Sequence, residues 1–346
     1  YDTAYNAILE YGYDNIQDKK LMRLCSKKIK EQMYTEDTFL TEIAFYTFSN
    51  GKYDDCILEY LIKYYLGTTK DLCNIWTAAK NFEVDTLELE EKLLCQMLFA
   101  ESFPVNVFAI FDSYYKMRPN QKLVRAFLAY YAYRYLVRRE HVDTGLFKYL
   151  EIEYDQMESA QDVCSLALLQ YYTEVPPSIK EHEAVIVPLV ERYIERGIVL
   201  PFFRKFAVLD SLPAEILDKT YVAYYANPNH TVVIYYIVED EGEHKAVYTE
   251  EEMKNVFGGI FVKEFTLFDD ERLKYYIKET SEYSHHVSDG VIVDGAMSER
   301  IEQGSGKDMI NRMIHGVAEG NMELVKDELE SYEKKRYLAK KLFSLI

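Results

Sequence analysis

Thr231-Val232-Val233-Ile234-Tyr235-Tyr236-Ile237-Val238 decides how this chain is read. All eight residues are β-branched or aromatic, a composition that suits a pleated strand and is stiff at χ1 in a helix. Upstream the period differs. Ile57, Leu58, Leu61, Ile62, Tyr65 and Leu66 recur three and four apart, the signature of an amphipathic helix. The switch falls at about Thr220, and a helical period returns near residue 307. The expected fold is therefore multidomain α plus β. A helical-repeat solenoid over 1–212 leads into an antiparallel β-sandwich over 213–297, with C-terminal helices over 298–346.

The chain has 346 residues, enough for two separate cores, and its 49% hydrophobic and 28% charged residues are those of an ordinary globular protein. Its 58 acidic residues against 40 basic ones set a net charge of −18. Such a surface repels phosphate backbones and anionic bilayers, so nucleic acid and membrane surfaces are not expected partners, whereas basic or neutral proteins are. The richest apolar stretch, Ala126 to Val137, is interrupted by Arg134 and is too short to span a bilayer. No signal peptide is seen. Tyr1 at the start and Leu342-Phe343-Ser344-Leu345-Ile346 at the end read as the ends of a piece of something longer, so a targeting segment outside this stretch is compatible with the sequence. Cys25, Cys56, Cys73, Cys95 and Cys164 are odd in number, widely spaced and set in helical apolar patterns. They read as buried free thiols in a reducing compartment, so the expected location is cytoplasmic.

Helix starts are marked by Asp18, Asp37, Asp54, Thr69, Asp85, Asn120 and Asp143, and Glu88 stands at the capping-box distance from Asp85. Asn50-Gly51 and Gly67 sit where C-caps are expected. Starts fall roughly 15–20 residues apart, so a helix pair makes a unit of roughly 30–40, the period of tetratricopeptide-like arrays. Gly51-x-Tyr53-x-x-Cys56-x-x-x-Tyr60 resembles the turn and second helix of a tetratricopeptide repeat, with Cys56 where that family usually has Ala. There Gly permits the turn, the small residue lets helices approach, and the aromatics wedge between them. Other units do not repeat the pattern cleanly; Gly320-Asn321-Met322 offers one further weak turn. The order of parts, degenerate helical repeats followed by a Tyr-rich β region and more helices, is also similar to large clostridial-type bacterial proteins of unknown function. That resemblance implies no activity.

Residues 220–293 offer about six strands. The turn Glu239 to Glu243 is expected to join 231–238 to 244–248, and Phe268-Asp269-Asp270-Glu271 to join 260–267 to 272–279. Leu273, Tyr275 and Ile277 share one face of the last strand, opposite Arg272, Lys274 and Lys278. The strand 231–238, apolar on both faces, reads as central and covered on both sides. Thr249-Glu250-Glu251-Glu252 reads as a capping box opening a short helix. The module is expected to pack on Ile186 to Leu209, with Ile198-Val199-Leu200-Pro201-Phe202-Phe203 as the seam.

Thirty-two tyrosines stand against one tryptophan. Seven neighbouring pairs occur, four of them in helical stretches: Tyr64-Tyr65, Tyr114-Tyr115, Tyr130-Tyr131 and Tyr171-Tyr172. Neighbours on a helix point about 100° apart, so one ring can enter the core while the other lines a recognition groove. Tyr as a plain packing residue, its hydroxyl reaching water at the core edge, is the competing explanation and carries more weight. Lys19, Lys20, Arg23, Lys27, Lys28 and Lys30 crowd the first helix as a solvated face or, less favoured, a docking stripe for an acidic partner. Gly304-Ser305-Gly306-Lys307 fails as a phosphate loop, with Ile301 at the first Gly position, Asp308 replacing Ser/Thr, and no strand leading in. His285-His286 near Asp289, and His244 across from Glu239, lack metal-ligand spacing, and neither G-x-S-x-G nor H-E-x-x-H is present.

The expected function is a non-enzymatic interaction scaffold, without cofactor or metal, that offers a helical groove to a peptide or protein. Binding of a glycan or cell-wall polymer through exposed Tyr and carboxylates is the alternative. A hydrolase with its site between the two regions comes third, because no catalytic constellation is visible.

Overall fold

The computed structural model describes residues 18–117, 120–175, 178–209, 211–212, 219–240, 247–267 and 271–294, together with 313–314, 317, 320, 322–323 and 325–326. Residues 241–246 and 268–270, on which the two expected turns partly fall, the Gly304-Ser305-Gly306-Lys307 segment and most of 298–346 lie outside the described residues. The architecture is a helical N-terminal region followed by antiparallel sheets. The chain divides into two compact units, Tyr1–Ala132 with His141–Cys164, and Tyr133–Glu140 with Ser165–Ile346.

The first unit contains α1 (Asp18–Glu31), α2 (Thr38–Ser49), α3 (Asp55–Tyr64), α4 (Thr69–Asn81), α5 (Leu87–Met97), α6 (Val107–Met117), the start of α7 (Gln121–Leu136) and α8 (Phe147–Glu153). From α1 to α6 each helix packs on the next, and α1, α3 and α5 touch in succession as one layer. Capping works as the sequence indicates at several starts. Asp37 accepts from Leu40 N at 2.9 Å, Asp54 from Ile57 N at 3.0 Å, and Asn120 from Leu123 N at 3.2 Å. Gly51 has φ +70° just past α2, Tyr60 is fully buried, and the Cys56 thiol lies 3.6 Å from the Ser26 carbonyl of α1.

Three terminal assignments shift. Thr68 rather than Thr69 caps α4, accepting from Asp71 N at 3.2 Å. At α5 the Thr86 hydroxyl turns inward to Glu90 at 2.7 Å, and Asp85 accepts from Leu87 N instead of forming a capping box. Gly67 is not a cap, since α3 ends at Tyr64 with Tyr65 extended; a Cβ on Gly67 would sit 2.2 Å from the Tyr65 ring, so that close approach accounts for the glycine.

In the second unit, most of α9 (Gln161–Glu174), α10 (Ser178–Glu181), α11 (Glu183–Glu195) and a 3-10 helix (Pro201–Val208) precede the sheets. Phe203 and Phe206 of the 3-10 helix are fully buried, and it contacts the first strand. The strands are β1 (Thr220–Tyr225), β2 (Thr231–Asp240), β3 (Thr249–Glu252), β4 (Lys254–Phe257), β5 (Ile260–Phe265), β6 (Glu271–Thr280), β7 (His285–Val287) and β8 (Val291–Asp294). One sheet has the order β1-β5-β4; the other runs β3-β2-β6-β7, with β8 also on β6. The β-branched and aromatic strand β2 is thus interior to its sheet, between β3 and β6. Val232 and Ile234 of β2, with Leu273 and Ile277 of β6, pack with Val222, Met253, Phe261 and Phe265 in a single apolar cluster, and Leu273 and Ile277 fall on the face that the alternation of β6 predicts.

Two expectations about this region are overturned. Thr249 to Glu252 is a strand, paired antiparallel with β2 from Val233↔Glu252 to Tyr236↔Thr249. A four-residue helix is marginal by itself, whereas the unsatisfied edge of β2 gains a ladder of hydrogen bonds. Glu251 there pairs with Lys263 and accepts from Tyr236 at 3.2 Å, which a helix would forgo. The expected hairpin of 260–267 with 272–279 does not form either. β5 pairs with β1 and β4, and β6 with β2, so the two strands belong to different sheets. The three consecutive buried residues Ile260, Phe261 and Val262 suit β5 to an interior place between β1 and β4.

Candidate functional site

A polar cleft in the helical unit lies where α4 ends, α5 begins and α6 passes. It is a cleft of about 330 Å³ with Lys80, Thr86, Glu90, Asp112, Ser113 and Lys116 on its wall. Its floor is Glu90, only 1% exposed. The Glu90 carboxylate accepts from Trp76 Nε1 at 2.9 Å and Thr86 Oγ1 at 2.7 Å, and Lys80 Nζ lies 3.1 Å away. A buried carboxylate tolerates its position only when held this way. Lys80 also donates to Ser113 Oγ at 2.7 Å and lies over the Trp76 ring at 5.6 Å. A Lys-activated serine needs an amine that accepts the hydroxyl proton. Here the amine also lies beside the Glu90 carboxylate and over the Trp76 ring. On the opposite wall Asp112 is bound by Lys116 at 2.6 Å and by the Tyr149 hydroxyl, which hold its carboxyl below its ordinary range.

The eight tyrosines of these four pairs, of which Tyr65 lies just past the end of α3, occupy different environments. Tyr114, Tyr115, Tyr131 and Tyr172 are buried; Tyr64, Tyr65, Tyr130 and Tyr171 are half-buried. Tyr115, Tyr130 and Tyr131 join one aromatic core through Phe103, Phe111 and Phe127, and the Tyr115 hydroxyl donates to Glu153 at 2.8 Å. Tyr64 packs on Tyr60 at 4.9 Å elsewhere in the same unit. Tyr171 and Tyr172 belong to the second unit, where Tyr172 stacks on His182 at 4.2 Å. Within the first unit the rings of Tyr114, Tyr115, Tyr130 and Tyr131 and those of Tyr64 and Tyr65 make separate contacts.

Tyr65 instead belongs to a strip that the neighbouring-pair pattern did not reveal. It stacks on Phe45 at 4.2 Å, Phe45 meets Phe48 at 6.2 Å, Phe48 meets Tyr53 at 5.0 Å, and Tyr53 meets Phe82 at 5.5 Å. Four of these rings are half-buried and Phe82 is 47% exposed, with Leu66 at 79% beyond Tyr65. The sequence signal was the i, i+3 pair Phe45 and Phe48 on α2, just before the repeat motif that contains Tyr53.

A second aromatic group lies in the five-stranded sheet. Tyr235 of β2 and its cross-strand neighbour Tyr276 of β6 stack at 4.8 Å with 4° between ring planes. Tyr248, just before β3, meets Tyr276 edge-on at 5.2 Å, so the contact crosses over β2. Desolvation and a hydrogen bond to Glu250 raise the Tyr235 hydroxyl above its ordinary range. On the other face of β6, Glu279 accepts from Tyr224 at 2.8 Å and contacts His230 Nδ1 at 2.5 Å. Among the described residues no three His, Cys, Asp or Glu side chains gather as a metal site.

The four thiols Cys25, Cys56, Cys73 and Cys164 are buried and unpaired, but Cys95 is exposed, contrary to the expectation that all five face a core. No described helix is long and apolar enough to cross a membrane. Arg134, which interrupts the most apolar stretch, is buried and ion-paired with Glu140.

Neither the curated proteins nor the solved structures contain a match to this chain. The family model described as the C-terminal part of a family of unknown function, DUF5717, matches residues 37–343. The chain, with its helical region and paired antiparallel sheets, belongs to the DUF5717 family.

Proposed function

We propose that the chain is a non-enzymatic protein-interaction scaffold, its helical region a tetratricopeptide-like solenoid and its two sheets a β-sandwich. The spacing of Gly51, Tyr53, Cys56 and Tyr60, and the successive packing of α1 to α6, support the solenoid. The apolar cluster shared by the two sheets supports the sandwich. Buried free thiols fit a reducing, cytoplasmic setting, and the arrangement of parts fits the clostridial-type proteins it resembles. The observation that carries the functional reading is the aromatic strip Tyr65, Phe45, Phe48, Tyr53 and Phe82. Contiguous, partly exposed rings offer large contact area at low entropic cost, which is how protein interfaces anchor. Substituting Phe82→Ser and Tyr53→Ser on this surface is expected to abolish partner capture while leaving the helical circular dichroism unchanged. Undiminished capture by that variant would remove the strip from the account.

The Tyr235, Tyr276 and Tyr248 group favours a second reading, glycan binding. Its weakness is geometric: Tyr235 and Tyr276 stack on each other, so they offer edges and hydroxyls more than open faces. Sugar stacking uses ring faces. Retention of cell-wall oligosaccharides by wild type, and their loss in Tyr276→Ser, would promote it.

A further inference from the structure

The outer side of α1 is basic on a chain whose net charge is −18. Lys19, Lys20, Arg23, Lys27 and Lys30 are all exposed, while Leu21, Cys25 and Ile29 on the same helix are 0%, 3% and 0% exposed. At about 3.6 residues per turn the five cations fall within about 100° of arc and extend about 16 Å along the axis. The buried residues lie on the opposite side. Lys27 has Glu31 at 3.9 Å, whereas among the described residues no carboxylate pairs with Lys19, Lys20, Arg23 or Lys30. Lys19, Lys20, Arg23 and Lys30 are therefore presented outward as a stripe, with the exposed Lys27 beside them.

The size of the stripe selects its partner. At physiological ionic strength charges act over about 8 Å, so a ligand no longer than the stripe feels the cations and is screened from the acidic remainder. A duplex nucleic acid or an anionic bilayer extends far beyond it and meets a chain whose net charge is −18. We propose that the outer face of α1 docks an acidic protein segment whose carboxylates repeat at helical spacing. The site is distinct from the aromatic strip and does not depend on it.

The test is fluorescence anisotropy on the full chain, with a labelled helical probe of about 14 residues bearing Glu three and four apart, a length that spans the stripe. Its Gln-substituted counterpart is the comparison. The Glu probe is expected to bind about tenfold tighter, to weaken as salt rises, and to lose that advantage against the variant Lys20→Glu, Arg23→Glu, Lys27→Glu. The milder variant Lys20→Gln, Arg23→Gln is expected to weaken the probe by an intermediate factor and, these side chains being exposed, to keep the wild-type circular dichroism. Equal binding of the two probes, or unchanged binding to the reversal variant, would overturn the proposal. So would duplex DNA or phosphatidylserine vesicles binding through α1 as tightly as the Glu probe.

Discussion

Trp76, the single tryptophan of the chain, donates its indole N–H to the carboxylate of Glu90 at 2.9 Å inside the helical unit. Fourteen residues separate them, and the bond ties α4 to α5. Removing the carboxylate strands the indole donor, the Thr86 hydroxyl and one partner of Lys80. Glu90→Ala is expected to destabilise the unit by about 2–4 kcal/mol, because buried donors lose a charged acceptor together. Urea unfolding followed by Trp76 fluorescence reads this unit directly. A cost below about 1 kcal/mol would mean that water satisfies the site.

Two glycines with positive φ are expected to respond unequally to alanine. Gly51 (φ +70°) has nothing within 4 Å of an added Cβ, so Gly51→Ala costs only the left-handed backbone, about 1 kcal/mol. Gly259 (φ +94°) would place its Cβ 2.2 Å from the Ala226 carbonyl oxygen, against backbone that cannot rotate away. Gly259→Ala is expected to cost clearly more, about 2–3 kcal/mol or more. Thermal melts of the two variants by circular dichroism give the order.

Thiol chemistry separates Cys95 from its four counterparts. One thiol per folded chain is expected to react with a maleimide, and all five after denaturation. Burial pushes Cys25 and Cys164 up to about 12 and Cys73 to about 11, so they are protonated as well as shielded. Cys95 is also raised, by burial and then by Glu91, so its reaction at pH 7 is expected to be slower than that of free cysteine and to accelerate on raising the pH. Mass spectrometry of the native adduct identifies the site. Labelling at Cys56 instead would contradict the packing of α1 on α3.

Acid is expected to weaken both units. Asp112 is held below its ordinary 3.8 by hydrogen bonds from Lys116 and Tyr149. Burial pushes Glu279 up, but its bonds from His230 and Tyr224 outweigh that and leave it below 4.5. A carboxylate depressed in the folded state stabilises fully above its unfolded value, and the contribution disappears as pH falls through the folded one. Stability is thus expected to fall from about pH 5 downward, and Asp112→Asn to flatten that decline as read by Trp76 fluorescence. An unchanged acid limb in Asp112→Asn would show that its partners do not discriminate between its protonation states.

What was legible in the sequence was local. The caps at Asp37 and Asp54 and the turn at Gly51 depend on neighbours within four residues, and the alternation of Leu273, Tyr275 and Ile277 shows directly in the order of residues. What stayed hidden depends on distant partners. Thr249 to Glu252 satisfies the capping-box pattern, and only the open edge of β2 and the presence of Lys263 make it a strand. The aromatic strip joins residues of α2, the following turn, the end of α3 and the end of α4, so no single window contains it. Neighbouring Tyr pairs drew attention instead, although Tyr114 and Tyr115 are both core residues. The burial of Glu90 was equally unreadable, since nothing next to it in sequence announces Trp76 as its partner.

The scaffold account is tested most directly by capture on three immobilised chains: wild type, the strip variant Phe82→Ser with Tyr53→Ser, and the sheet variant Tyr276→Ser. Each would be challenged with bacterial lysate and with a cell-wall glycan fraction across a salt series, and read by mass spectrometry. The account predicts one protein retained in stoichiometric amount by wild type and by Tyr276→Ser, and lost from the strip variant. Retention of oligosaccharide alone, lost in Tyr276→Ser and unaffected in the strip variant, would contradict it.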